Sequence, residues 1–135
     1  MRALLDTNVL VSAVLFGGLP RELLRRALRG EFEVVTSVSL MAEFADVLAE
    51  RFGLAPEVAR AARSEYELLA EVVRPLLVPS IARDPDDNEV LAAAVIGDVD
   101  LIVTGDRDLL ALGQHEGRPI VTPRQFRERL EDEHG

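Results

Sequence analysis

Residues 1–13, MRALLDTNVLVSA, set a short apolar run against a carboxylate. Ala3, Leu4 and Leu5 read as the end of a buried strand. Asp6 stands at its mouth, and Thr7 and Asn8 separate it from the next apolar run. Asp, Thr and Asn are all favoured helix N-caps, so a helix is expected from Asn8. The same unit, strand then helix, repeats along the chain. Runs near residues 2–5, 33–36, 76–78, 101–103 and 119–121 look like buried strands, and helical periodicity covers 8–15, 20–29, 38–52, 56–72, 88–97, 107–112 and 123–132. Such alternation implies an α/β fold, a parallel sheet flanked by helices, with one domain spanning residues 1–135. Ligands of such sheets bind beyond the carboxyl ends of the strands, near the point where strand order reverses. Asp6 sits at one such end, and Asp106, after LIVTG, at another.

Composition narrows the chemistry. The chain has 135 residues, 48% of them hydrophobic, no cysteine and a formal charge of −9. Disulfides and thiolate metal sites are excluded. All fifteen basic residues are arginine. Without lysine, the chain lacks an essential residue of P-loop NTPases, Schiff-base enzymes and kinases. The histidines are His115, in a Gly-rich turn, and His134, so a histidine triad or a zinc site is not expected. A −9 protein is a poor general binder of nucleic acid, but its acids can hold cations. No stretch has membrane-spanning length and no signal-peptide pattern opens the chain, so a cytoplasmic protein without membrane contact is expected.

Four carboxylates stand out. In SVSLMAEFADVLAE, Glu43 lies three residues after Leu40 and four before Val47, in line with the apolar face of its helix. In ARDPDDNEVLAAAVIGD, Asp87 shares a face with Val90 and Leu91; Asp84 and Asp86 align less well. Asp106 and Asp108 lie in LIVTGDRDLLAL, after Gly105. Each has an ordinary explanation. Glu43 can reach water from the edge of its stripe, and the Asp residues can cap helices or complement a helix dipole. Together they aim at one edge of one sheet. Within about 5 Å, each pair of charges repels by roughly 3 kcal/mol at an effective dielectric near 20. Some acids must then hold protons, or cations must sit between them. Oxygen ligands alone select Mg²⁺ or Mn²⁺. Two such ions can flank a phosphodiester, one activating water and one stabilising the leaving oxygen. Asn8 and Thr104 supply uncharged groups that could hold a carboxylate or a water.

LLDTNVLVSA, SLMAEFADVL, DPDDNEVLAAA and IVTGDRDLL, taken together and in this order, resemble the PIN-domain nucleases. They are most similar to the PIN-family (VapC-like) toxins of bacterial and archaeal toxin–antitoxin modules. The resemblance covers nearly the whole chain. It implies a three-layer α/β/α domain with a central parallel sheet of four to five strands, and an Mg²⁺- or Mn²⁺-dependent endoribonuclease leaving 5′-phosphate and 3′-hydroxyl ends. The family's acidic quartet carries over onto Asp6, Glu43, Asp87 and Asp106 as catalytic and metal-binding residues. Asp108 matches a further acid, Asn8 and Thr104 match supporting polar positions, and Asp84 is read as structural. A homodimer and an antitoxin that crosses the active-site groove are the implied protein partners.

RNA is the implied substrate. Arg21, Arg25, Arg26 and Arg29 form a basic strip on the helix PRELLRRALRG, either a phosphate track or a solvated face. Aromatic residues make up 4%, so stacking is not expected to be the main grip. Phe16 with Gly17 and Gly18 reads as a lip near the site or as core. Two other functions fit less well: a PIN-fold nuclease of RNA processing or DNA repair without an antitoxin, and a non-catalytic metal-binding regulatory α/β module. A phosphoryl receiver needs a lysine, and an aspartyl phosphatase wants an Asp where Asn8 stands.

Overall fold

A computed structural model describes residues 1–134. Strands and helices alternate as follows: β1 (Arg2–Leu5), α1 (Thr7–Leu15), α2 (Gly18–Leu28), β2 (Glu33–Ser37), α3 (Val38–Asp46), α4 (Pro56–Leu69), β3 (Glu71–Val73), α5 (Pro85–Ile96), β4 (Leu101–Val103), α6 (Arg107–Leu112), β5 (Gln114–His115), β6 (Arg118–Val121) and α7 (Pro123–His134). A wider π turn over Val47–Arg51 continues α3.

The strands form one sheet in the order β3-β2-β1-β4-β6-β5. β3, β2, β1, β4 and β6 run parallel; β5 folds back antiparallel on β6. Successive strand residues point to opposite faces, and both faces are covered, which is why the strands read as unbroken apolar runs. Leu5, Val34 and Val103 pack into a core with α1, α2, α3, α4 and α7. Leu4, Val35 and Ile102 pack on the other face, against α5 and α6. This is the three-layer α/β/α arrangement expected from the sequence, and its five parallel strands agree with the expected count.

The apolar run at 76–78 is not a strand. The fifth parallel strand is β3, and α4 ends at Leu69 rather than near residue 72. β3 pairs with β2 through Val35↔Glu71 and Ser37↔Val73. Pro75 and Pro79 bracket Leu76, Leu77 and Val78, and proline cannot donate to a sheet ladder. These three side chains lie exposed. Helix α5 begins at Pro85, before the expected residue 88, because Asp84 caps it: its Oδ1 accepts the Asp86 amide at 2.9 Å.

Strand order reverses at β1. The chain leaves β1 for β2 and β3 on one side, then crosses to β4 on the other. The carboxyl ends of β1 and β4 lie side by side there, with the Asp6 amide donating to the Val103 carbonyl at 2.9 Å.

Candidate active site

Asp6 is the first residue beyond β1 and is buried. It occupies the N-cap position of α1, yet its side chain makes no cap hydrogen bond. Its carboxylate turns to β4 instead, where the Thr104 hydroxyl donates to Oδ2 at 2.7 Å. The same hydroxyl oxygen accepts the Asp106 amide at 2.9 Å. Thr104, itself fully buried, thus ties the first and last acids of the chain into one network. Burial pushes the Asp6 carboxyl above its ordinary pKa; the Thr104 hydroxyl and the Thr7 amide act in the opposite direction, and Asp106 and Asp84 add to the rise.

Asp106 does two things. Oδ1 accepts the amides of Asp108 at 2.8 Å and Leu109 at 3.1 Å, which caps α6. Its carboxylate also lies in a cluster with Asp87 and Asp108, whose ligand oxygens all fall within 4.8 Å of one another. Asp87 is buried in the first turn of α5. It is not the cap, since Asp84 fills that role. Its Oδ2 is buried and has no hydrogen-bond partner among the described residues. Desolvation first, then the charges of Asp106 and Asp6, push the Asp87 carboxyl up to about 7. Glu43 reaches the same pocket from α3. It is half-buried, and desolvation followed by Asp86 and Asp6 raises it to about 7.

Asp6, Glu43, Asp87, Asp106 and Asp108 therefore meet at one edge of the sheet. The tightest group contains Asp108 and excludes Asp6 and Glu43. All the donors are oxygens, one of them a buried carboxylate oxygen without a donor. That is a set suited to a hard divalent cation.

Asn8 is exposed on α1 and makes no side-chain hydrogen bond among the described residues. The arginine strip runs along α2 from Arg21, beside the end of α1, to Arg29, shortly before β2 begins beside Met1. Two of its four arginines are engaged by the protein itself. Arg26 pairs with Glu31 at 3.0 Å and Glu131 at 3.7 Å. Arg21 donates to the Ala13 and Val14 carbonyls at 2.8 and 2.9 Å. Arg25 and Arg29 are exposed. Exposed arginines at the carboxyl edge include Arg74 after β3 and Arg83, Arg107 and Arg124 at the starts of α5, α6 and α7.

Two further features escaped the sequence reading. Asn88 is buried beside Asp87; its Oδ1 accepts the Ile81 and Ala82 amides at 3.1 and 2.8 Å and so fastens the segment leading to Asp84. The hydroxyls of Thr7 and Thr36 are buried without partners among the described residues. Thr7 follows Asp6 directly, which was a usable signal; Asn88 offered none beyond its place in DPDDN.

The PIN-domain family profile matches residues 2–108, a span that contains every acid of the pocket. The chain belongs to the PIN-domain family. PIN domains are generally nucleases, and the acidic cluster is the feature such an activity requires. No curated protein matches the sequence significantly. Among solved structures, the fold is similar to a chain of VapBC2 from Rickettsia felis bound to a DNA fragment from its promoter (TM-score 0.63, 12% identity, covering 90% of this chain and 98% of that one). It is also similar to PAE2754 from Pyrobaculum aerophilum (TM-score 0.65, 16% identity, covering 98% of this chain and 90% of that one). Among the described residues no helix is long and apolar enough to cross a membrane.

Proposed function

We propose that this protein is a metal-dependent endoribonuclease, the toxin of a toxin–antitoxin pair. One observation carries the reading: Asp87, Asp106 and Asp108 bring carboxylate oxygens within 4.8 Å of one another, beside a buried Asp87 oxygen that no group among the described residues satisfies. Asp6, Glu43, Asp87, Asp106 and Asp108 would hold Mg²⁺ or Mn²⁺. When bound, such ions supply Lewis-acid stabilisation of phosphoryl charge and a lowered pKa for water.

The protein's own groups do the rest. Thr104 holds the Asp6 carboxylate in one orientation through the 2.7 Å hydrogen bond. A carboxylate of the pocket accepts the proton of a water that attacks phosphorus in line. The P–O3′ bond breaks, the leaving oxygen takes up a proton, and 5′-phosphate and 3′-hydroxyl ends result. Arg83, Arg107 and Arg124 at the same edge are suited to flanking phosphates.

Two protein partners belong to this reading. The similarity to a VapBC2 chain supports an antitoxin. A second copy of this chain is supported by the exposed segment Leu76, Leu77, Val78 and Ile81: no ionisable group lies between Pro75 and Ala82, in a molecule of charge −9 that repels its own copies elsewhere.

The test is cleavage of a mixed RNA pool by wild type and Asp6→Asn across an Mg²⁺ and Mn²⁺ titration, with the new ends sequenced. The variant is expected to lose at least about a hundredfold in rate while its melting curve stays cooperative. Equal rates for the two proteins would overturn the assignment.

A further inference from the structure

The chain has five phenylalanines, one tyrosine and no tryptophan. Phe32, Phe44, Tyr66 and Phe126 are core. Phe16 and Phe52 are 72% and 44% exposed. Far apart in sequence, they meet edge to face with ring centroids 6.2 Å apart and planes at 78°. Among the described residues, the exposed phenylalanine surface is therefore gathered in one pair.

The pair has a definite relation to the acidic pocket. Phe16 closes α1, which starts at Asp6, and Phe52 closes the π turn that extends α3, which carries Glu43. Both helices run from the pocket to the pair. The nine residues of α1 separate Asp6 from Phe16, about 15 Å at the helical rise. Asn8, Ser12 and Phe16 are spaced by four and share a helix face. Asn8 is exposed and Ser12 half-buried, so a polar stripe leads from the acids to the rings.

A cation is fixed beside Gly17, the residue after Phe16. Arg21 is anchored to the Ala13 and Val14 carbonyls. A Cβ at Gly17, next to Phe16, would stand 3.3 Å from Arg21 Nη1. Gly17 has φ +74, a conformation that side chains strain to adopt, and the turn it makes leaves Phe16 in solvent. Arg51 adjoins Phe52, with Asp46 and Glu50 nearby on α3 and its π turn. Charges of both signs around two rings do not suit an apolar partner helix. Exposed rings with a fixed guanidinium suit a nucleobase, which stacks on ring faces and on arginine.

We infer that Phe16, Phe52 and Arg21 form a base-holding subsite for single-stranded RNA, a few nucleotides from the bond that the acidic pocket cuts. This rests on the ribonuclease reading, and the following measurements separate the two.

Phe16→Trp introduces the sole tryptophan. Its fluorescence is expected to be quenched by a single-stranded oligoribonucleotide and not by the same RNA as a duplex, and Phe52→Leu in that background is expected to weaken the quench about fivefold or more. In cleavage assays with Mg²⁺, Phe16→Leu/Phe52→Leu is expected to raise KM for long RNA about fivefold or more, with kcat kept and a dinucleotide substrate unaffected. Because both rings are solvent-facing, the melting temperature should hold. An unquenched tryptophan, or an unchanged KM in a wild type that does cleave RNA, overturns the subsite and leaves the nuclease standing. A quench that depends on Phe52 in a protein that never cleaves keeps the subsite and removes the nuclease. A changed oligomeric state in the double variant assigns the pair to a protein contact and overturns the subsite.

Discussion

Asp6 gives up most of its hydration to reach the pocket, and the Thr104 hydroxyl is what it receives in return. Replacing that hydroxyl by a methyl group strands two partners at once, the Asp6 carboxylate and the Asp106 amide. Thr104→Val is expected to cost about 1–3 kcal/mol in urea unfolding and to slow cleavage at least about tenfold, with Thr104→Ser restoring both. The crowding of acids has its own signature. Glu43 and Asp87 sit near 7, raised from 4.5 and 3.8, and Asp6 moves in the same direction. Above their ordinary values and below 7 the folded chain keeps protons that the unfolded chain releases. Their contribution to stability is full at low pH and is lost as pH rises through about 7. The metal-free protein is therefore expected to melt lower at pH 8 than at pH 5. Mg²⁺ or Mn²⁺ should raise the melting temperature by several degrees at pH 8 and hardly at all at pH 5, as read by scanning calorimetry. A melting temperature that rises with pH in the absence of metal would contradict the convergence of these acids.

Helix α5 presents Asp87 to the pocket, and its far end is held by an unusually close approach. Gly97, the residue that closes α5, lies against β2: a Cβ there would stand 2.6 Å from Val35 Cγ1. Its φ of −81 is ordinary, so the demand is steric and not conformational. Gly97→Ala is expected to destabilise by about 1–3 kcal/mol in chemical denaturation. Adding Val35→Ala should recover part of that loss, a coupling that a double-mutant cycle reads directly. At this scale the sequence was legible where a strand ended on a polar residue, as at Asp6 and Thr104. It was misread at β3. Glu71–Val73 follows a helical pattern without a break, whereas the conspicuous trio Leu76, Leu77 and Val78 is held out of any ladder by its flanking prolines. Periodicity measures which faces are apolar; it does not say which apolar run finds a neighbouring strand.

The whole molecule is acidic, and its substrate on this reading is a polyanion. Binding must be carried by cations in the pocket, by arginines and by uncharged contacts. The same net charge makes the neutral segment at 75–82 the cheapest place for two copies to touch. Leu76 and Leu77 are 94% and 87% exposed and add almost nothing to the core. Leu76→Glu/Leu77→Glu is expected to leave the melting temperature within a couple of degrees of wild type. It is also expected to turn a dimer into a monomer in multi-angle light scattering. A variant that stays dimeric would place the interface elsewhere.

By itself the chain of residues determined the alternation of strand and helix, the α/β class and the candidate acids. Those follow from local periodicity and from polar residues that interrupt apolar runs at element ends. Only the tertiary structure decided which acids share a cation-sized space, since that depends on strand order and on where α3 and α5 start. It brought Asp108 into the tightest group, assigned helix capping to Asp84 instead of Asp87, and tied Arg26 to Glu31 and Arg21 to the end of α1. It also brought Phe16 against Phe52. A helix's sequence records the angles between its side chains; the end of the sheet they face is set by packing against residues far away along the chain.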